Sequence, residues 1–318
     1  MFGLLPAQLP LLYDSGRKWF TIFCCVVLGP INCFVEAPFG RFTPSENSIF
    51  KSDIFVFDGI KSWIVMELVS PICFFYAFLN APLSTGAPRP FSLGNPQSLL
   101  VGAYLVHYLN RALVSPLRTP SRSKAHIIVP LAAIAFNTFN GSLLGAFLSS
   151  PSAPPPSALA RSSFWIGMAL WAAGFAGNVI HDEILLNIRR HAKSKGKAKE
   201  AGTTSPGEHY AIPHGLLYRY ISYPNYFCEW VEWLGFAIAA DPRMMYAIAS
   251  GSWSLPTWST LVRGPPSAFL PLLSPPWLFL ISEIILMYPR AHRGHLWYLN
   301  KFGDSYPKER KIVIPFLL

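Results

Sequence analysis

Asn225-Tyr226-Phe227-Cys228-Glu229-Trp230-Val231-Glu232-Trp233 sets two carboxylates and an amide inside a stretch that otherwise reads as lipid-embedded helix. Phe227, Trp230, Val231, Trp233, Leu234, Phe236 and Ile238 suit a hydrocarbon surrounding; Glu229 and Glu232 do not. An ionisable side chain at membrane depth costs roughly 3 kcal/mol or more unless it meets a partner, so it marks a functional cavity by default. Asn225, Glu229 and Trp233 recur at steps of four, which places them on one helical face. That face is expected to look onto something polar.

The rest of the chain agrees with a membrane setting. Of its 318 residues 52% are hydrophobic and 13% charged, with a mean hydropathy of +0.33, against roughly a quarter charged in an ordinary soluble domain. The apolar residues gather in seven runs, at 19–37, 62–80, 97–117, 127–149, 162–188, 225–247 and 267–289. Each approaches the roughly 20 residues that carry a helix across a bilayer. The expected fold is a single all-α integral membrane domain over 1–318 with seven transmembrane helices and no cleavable signal peptide.

The net charge of +10 is concentrated, with sixteen of the 26 Lys and Arg in three clusters. Arg111, Arg118, Arg122 and Lys124 form the first; Arg189, Arg190, Lys193, Lys195, Lys197 and Lys199 the second; Arg290, Arg293, Lys301, Lys308, Arg310 and Lys311 the third. Pairs of spans separate the clusters, so all three fall on one side, which the positive-inside rule makes cytosolic. Three spans precede the first cluster, which sets the N-terminus in the lumen and the C-terminus in the cytosol. Short juxtamembrane basic loops without interleaved aromatics fit anionic lipid headgroups or a phosphorylated small molecule, and exclude nucleic acid as the partner.

Other chemistries are disfavoured by what the sequence contains. Cys24, Cys25, Cys33, Cys73 and Cys228 lie in apolar runs with no CxxC pair, which argues against disulfides and against a metal site. Neither a GxGxxG nor a Walker loop occurs, so a bound nucleotide would not sit on a Rossmann domain.

Two further polar sets lie within the spans. Asn178, Asp182 and Arg189, spaced by four and seven, share a helical face at the end of span five. Glu67 in span two is a lone carboxylate that needs a hydrogen-bond partner, and Tyr108 in span three, followed by Arg111, offers one.

Several of these segments together resemble the steroid 5α-reductase family. Ile212-Pro213-His214-Gly215-Leu216, Asn225-Tyr226-Phe227-Cys228-Glu229 with Glu232-Trp233, His295-Leu296-Trp297-Tyr298 and Arg310-Lys311-Ile312-Val313-Ile314-Pro315-Phe316 match its C-terminal signature. The likeness continues upstream through Asn178 to Arg190, Val106-His107-Tyr108-Leu109-Asn110-Arg111 and Glu67-Leu68-Val69-Ser70, covering residues 60–318. It implies a multi-pass enzyme of the endoplasmic reticulum membrane that reduces the double bond of a lipophilic 3-oxo-Δ4-steroid with NADPH. By the same resemblance Asn225 and Glu229 grip the nicotinamide end, with Trp233 near the substrate ring. Asn178, Asp182, Arg189, Tyr210, His295 and Tyr298 line the rest of the cofactor channel, and Arg111, Arg118 and Arg310 contact phosphate or fix loops. Glu67 and Tyr108 meet the 3-keto oxygen. Residues 60–150 then form the substrate side and 162–318 the cofactor side.

Two alternatives stay open. One keeps fold and NADPH but reduces a trans-2-enoyl-CoA or a polyprenol; Pro224 favours it, and Glu67 with Tyr108 oppose it. The other is a membrane methyltransferase using S-adenosylmethionine, or a non-catalytic sterol-binding protein.

Overall fold

The computed structural model describes residues 8–35, 55–85, 91–120, 122, 124–200, 211–254 and 257–318. Seven long helices dominate the described residues. They are α1 (Leu9–Phe34), α2 (Gly59–Asn80), α3 (Pro96–Tyr108), α4 (Ile128–Leu148), α5 (Ser162–Glu200), α6 (Pro224–Ala240) and α7 (Pro275–Phe302). α3 runs on through a π turn, Leu109–Val114, into Ser115–Arg118. A two-residue antiparallel ladder pairs β1 (Val56–Phe57) with β2 (Ala125–His126) and ties the start of α2 to the start of α4. The protein is thus all-α, and α1, α2, α4 and α5 are each long and apolar enough to cross a membrane.

Close helix packing comes from glycine. In α4, Gly141 and Gly145 lie against the α2 backbone; a Cβ on Gly145 would stand 3.0 Å from both the Phe74 carbonyl carbon and the Phe78 nitrogen. Gly174 of α5 and Gly235 of α6 do the same for that pair, a Cβ on Gly174 falling 2.6 Å from the Cys228 oxygen and the Glu232 Cα. Small residues spaced by four are how helices approach where no water drives association. α5 and α6 therefore carry their polar residues in near backbone contact.

The core between these pairs is aromatic. Tyr104 of α3 stacks on Phe74 of α2 at 4.0 Å between ring centroids, while Trp233 of α6 meets Phe279 of α7 at 4.6 Å, edge to face. Tyr104 also reaches Trp233, at 6.0 Å, so four helices share one buried cluster.

Several boundaries differ from the sequence reading. α1 starts at Leu9, ten residues before the expected span at 19, and takes in Arg17 and Lys18. Both cations are buried, yet neither is unpartnered. Arg17 donates to the carbonyl oxygens of Leu270 (3.1 Å) and Leu273 (2.7 Å), and Lys18 to those of Val262 and Gly264, both at 2.7 Å. Satisfied by backbone, they sit where free charges could not. α6 ends at Ala240 and a separate short helix, Arg243–Ala249, follows. α7 continues past Pro289 to Phe302; the proline stands mid-helix, where it removes one backbone hydrogen bond without ending the helix.

Candidate active site

α3 delivers the centre of the site. His107 and Tyr108 occupy its last turn, and the π turn that follows carries Arg111. Such turns recur at functional sites because the extra residue re-aims the side chains around it. Arg111 spreads its guanidinium between two carboxylates from different helices: Nε lies 3.8 Å from Glu67 of α2, and Nη1 lies 3.5 Å from Glu229 of α6. It also rests 4.9 Å from the centre of the Trp63 ring, whose indole N–H donates to the Arg111 carbonyl. Although counted with a basic cluster in the sequence, Arg111 is an interior ion.

Tyr108 is buried beside Tyr104, with ring centroids 4.7 Å apart, and its hydroxyl sits next to Ser70 and Tyr104. Ser70 and Tyr104 share a 2.7 Å hydrogen bond. Glu67 therefore engages Arg111, while Tyr108 belongs to a neutral hydroxyl chain.

A second layer joins α5 to α6. Asn178 donates through Nδ2 to the Asn225 carbonyl oxygen (3.0 Å) and to Glu229 (3.2 Å), and Asn225 donates to Asp182 (3.1 Å). Asn178, Asp182, Asn225 and Glu229 thus form one amide–carboxylate ladder. Trp233, one turn further along α6, is enclosed by Tyr104, His107, Phe236 and Phe279.

At the far end the C-terminal tail crosses the segment before α6. Lys311 donates from its backbone to the Tyr220 carbonyl oxygen (2.8 Å), and Ser222 bridges His295 and Tyr306 at 2.6 Å each. Burial, with His292 nearby, holds His295 below the ordinary imidazole range, so its ring is neutral at neutral pH. Tyr298 stacks on Tyr306 at 5.3 Å. Arg310 is buried, touches His214 at 3.5 Å, and keeps Nε and Nη1 without a hydrogen-bond partner among the described residues. Arg118 pairs with Glu183 at 3.0 Å on the half-exposed rim, where Glu183 also takes Arg190 at 2.6 Å. Arg189 is exposed on α5, and Tyr210 lies outside the described residues.

Three groups escaped the sequence reading. Buried His107 meets Glu232 at 2.7 Å; Glu232 stood out in the sequence, but its partner is 125 residues away. Glu283 of α7 reaches electrostatically to Glu229, Arg111 and Glu67. It is an acid inside an apolar span, and the reasoning applied to Glu229 would have flagged it. Arg122 lies 3.7 Å over the Trp63 ring with Nη1 buried and unpartnered among the described residues. Burial and the facing charges of Arg111 and Arg189 push its guanidinium down to about 10, so it remains a cation at neutral pH. Among the described residues no group of His, Cys, Asp or Glu is arranged to hold a metal.

Residues 123–255 and 268–318 match the family described as 3-oxo-5-alpha-steroid 4-dehydrogenase. The chain belongs to that family. It is 32% identical over 298 residues to 3-oxo-5-alpha-steroid 4-dehydrogenase 1 of Bos taurus, covering 93% of this chain and 92% of the bovine one. A steroid 5-alpha-reductase of Solanum lycopersicum is 30% identical over 250 residues, 76% of this chain and 79% of its own. An uncharacterized protein of Schizosaccharomyces pombe is 37% identical over 320 residues, covering 97% of this chain and all of the yeast one. Like the named members of the 3-oxo-5-alpha-steroid 4-dehydrogenase family, the protein is an oxidoreductase, and its long apolar helices make it a membrane protein.

Proposed function

We propose that this oxidoreductase uses NADPH to reduce the Δ4 double bond of a 3-oxo-steroid to the 5α product. The observation that carries the reading is the gathering of Glu67, Tyr108, Arg111, Asn178, Asn225 and Glu229 from five helical segments into one interior site. The residues suit a dinucleotide. Arg122 and Arg310 carry buried N–H groups without a partner among the described residues, a state that is costly without an anion and that phosphate would relieve. The amide–carboxylate ladder offers the donors and acceptors that a carboxamide needs.

Bound NADPH would supply the hydride, and residues of the chain do the rest. Hydride can enter the β-carbon of an enone only as charge builds on the ketone oxygen, so a donor fixed there lowers the barrier. Tyr108 is that donor, held by its contacts with Tyr104 and Ser70. Glu67 shares the ketone end, kept in place by Arg111, which also anchors Glu229 at the nicotinamide end. The single guanidinium thereby fixes the spacing between the two halves of the reaction. Trp233 closes the wall beside the substrate. Residues 60–150 make the substrate side and 162–318 the cofactor side, with His295, Tyr298, Asp182, Arg189, Arg118 and Tyr210 assigned to the cofactor channel.

The same reading gives seven spans, a lumenal N-terminus, a cytosolic C-terminus and residence in the endoplasmic reticulum. An enoyl-CoA substrate gains nothing from Pro224, which stands in the first turn of α6, where its fixed φ suits a helix start regardless of substrate.

The direct test is purified protein in lipid nanodiscs with NADPH and either progesterone or a trans-2-enoyl-CoA. Cofactor absorbance should fall with the steroid; no oxidation with any steroid enone defeats the proposal. Glu229→Gln should weaken NADPH binding roughly tenfold, the scale of one charge-assisted buried hydrogen bond, and leave steroid affinity within about twofold. Equal losses for both ligands would make Glu229 a structural residue.

A further inference from the structure

Reduction of an enone needs a proton at the α-carbon as well as a hydride at the β-carbon, and neither Tyr108 nor Glu67 is placed to give it, since both serve the ketone oxygen. α7 offers a candidate. Glu283 belongs electrostatically with the groups already described: Glu229 and Glu232 of α6, Arg111 of the π turn and Glu67 of α2 all act on its carboxyl, and it acts on Tyr108. Tyr108 marks the ketone end and Glu229 the nicotinamide end. In an enone the α-carbon lies between the carbonyl carbon and the β-carbon. A side chain within reach of both markers flanks that atom.

Hydrogen bonds and ion pairs together distinguish Glu283 from its neighbours. Glu229 takes Asn178 and Arg111, Glu232 takes His107, and Glu67 faces Arg111. Among the described residues no donor reaches Glu283, and its Oε2 is sealed from solvent without a hydrogen-bond partner; Glu232 also keeps Oε2 unpartnered, but its other oxygen meets His107. These four carboxyls, together with Asp182, thus share three cationic partners, Arg111, His107 and Arg122. A second negative charge in excess is not tolerated in such an enclosure, so protons must reside among them. The carboxyl with no donor is where a proton costs least.

Resting on the steroid-reductase reading above, we propose that Glu283 is the acid that protonates the substrate α-carbon. Hydride addition at the β-carbon leaves an electron pair delocalised as the enolate that Tyr108 stabilises. That pair then forms the α-carbon–hydrogen bond as the Glu283 O–H bond breaks, and the ketone is restored. Water returns a proton to the Glu283 carboxylate. The sum is one enone, one NADPH and one proton giving one saturated ketone and one NADP+.

The test compares wild type, Glu283→Gln and Glu283→Asp with NADPH and progesterone in deuterated buffer, locating the label at short times by NMR. Wild type should place one deuterium at the α-carbon on a single face. Glu283→Gln should lose about a hundredfold in kcat, the scale of a lost general acid, and label both faces as bulk solvent takes over. Glu283→Asp, which keeps the acid, should keep single-face labelling at reduced rate. Without cofactor, the infrared spectrum of wild type should contain a protonated-carboxyl band that Glu283→Gln lacks. An active wild type whose Glu283→Gln variant keeps kcat within about threefold and labels one face overturns the assignment, and so does an unchanged infrared band. A wild type that oxidises NADPH with no enone overturns the reductase reading first, and this assignment with it.

Discussion

Tyr108→Phe should lower kcat with a 3-oxo-Δ4-steroid by roughly two to three orders of magnitude, the loss seen when one oxyanion donor is removed. The substitution takes away a hydroxyl and leaves the ring, so the tilted ring contact with Tyr104 at 4.7 Å and the edge contact with His107 at 5.1 Å survive. KM for NADPH and the thermal midpoint in detergent should therefore stay near wild type. The split matters: a donor acting on the ketone affects turnover, whereas a merely structural hydroxyl affects stability. Near-normal turnover in Tyr108→Phe would remove the tyrosine from the chemistry.

Gly174→Val should be the most damaging single substitution for folding. A valine Cβ at 174 would press on the Cys228 oxygen and the Glu232 Cα, both 2.6 Å away, and its two methyls have nowhere to turn. Neither contact is a flexible side-chain end; both are backbone, so the helices must part. Overpacking of this kind costs about 3 kcal/mol at the upper end of its usual range, and here it also breaks the Asn178 bonds to Asn225 and Glu229 one turn away. Size-exclusion profiles and thermal unfolding in detergent should show little folded protein. A normal profile with intact NADPH binding would mean that α5 and α6 separate freely, contrary to their packing.

Much of the architecture was readable because lipid imposes a simple grammar: apolar runs of about 20 residues, with turns rich in proline between them. The grammar failed where charge is satisfied by backbone. Asp14, Arg17 and Lys18 read as a flank to α1, and only the carbonyls of 262–273 explain their place inside it. In the site, relations along one helix were legible, since Asn178 with Asp182 and Asn225 with Glu229 keep the spacing of one face. Relations across helices were not. His107 with Glu232 and Arg111 with Glu229 join residues more than a hundred positions apart. Nor does any spacing rule assign Arg111 to Glu67 or leave Tyr108 with Ser70. The π turn, which decides where Arg111 points, has no signature in Leu109–Val114.

The grip of Arg17 and Lys18 on the loop before α7 has a bearing on biosynthesis. These two cations enter the bilayer with the first helix made, yet the carbonyls that accept their protons lie 244 to 256 residues later. Until translation has nearly finished, Arg17 has Asp14 of its own helix as a partner, at 3.2 Å, while the carbonyls that hold Lys18 are still unmade. Premature termination anywhere before residue 262 leaves Lys18 without the carbonyls that hold it, which makes this helix a built-in reporter of an incomplete chain.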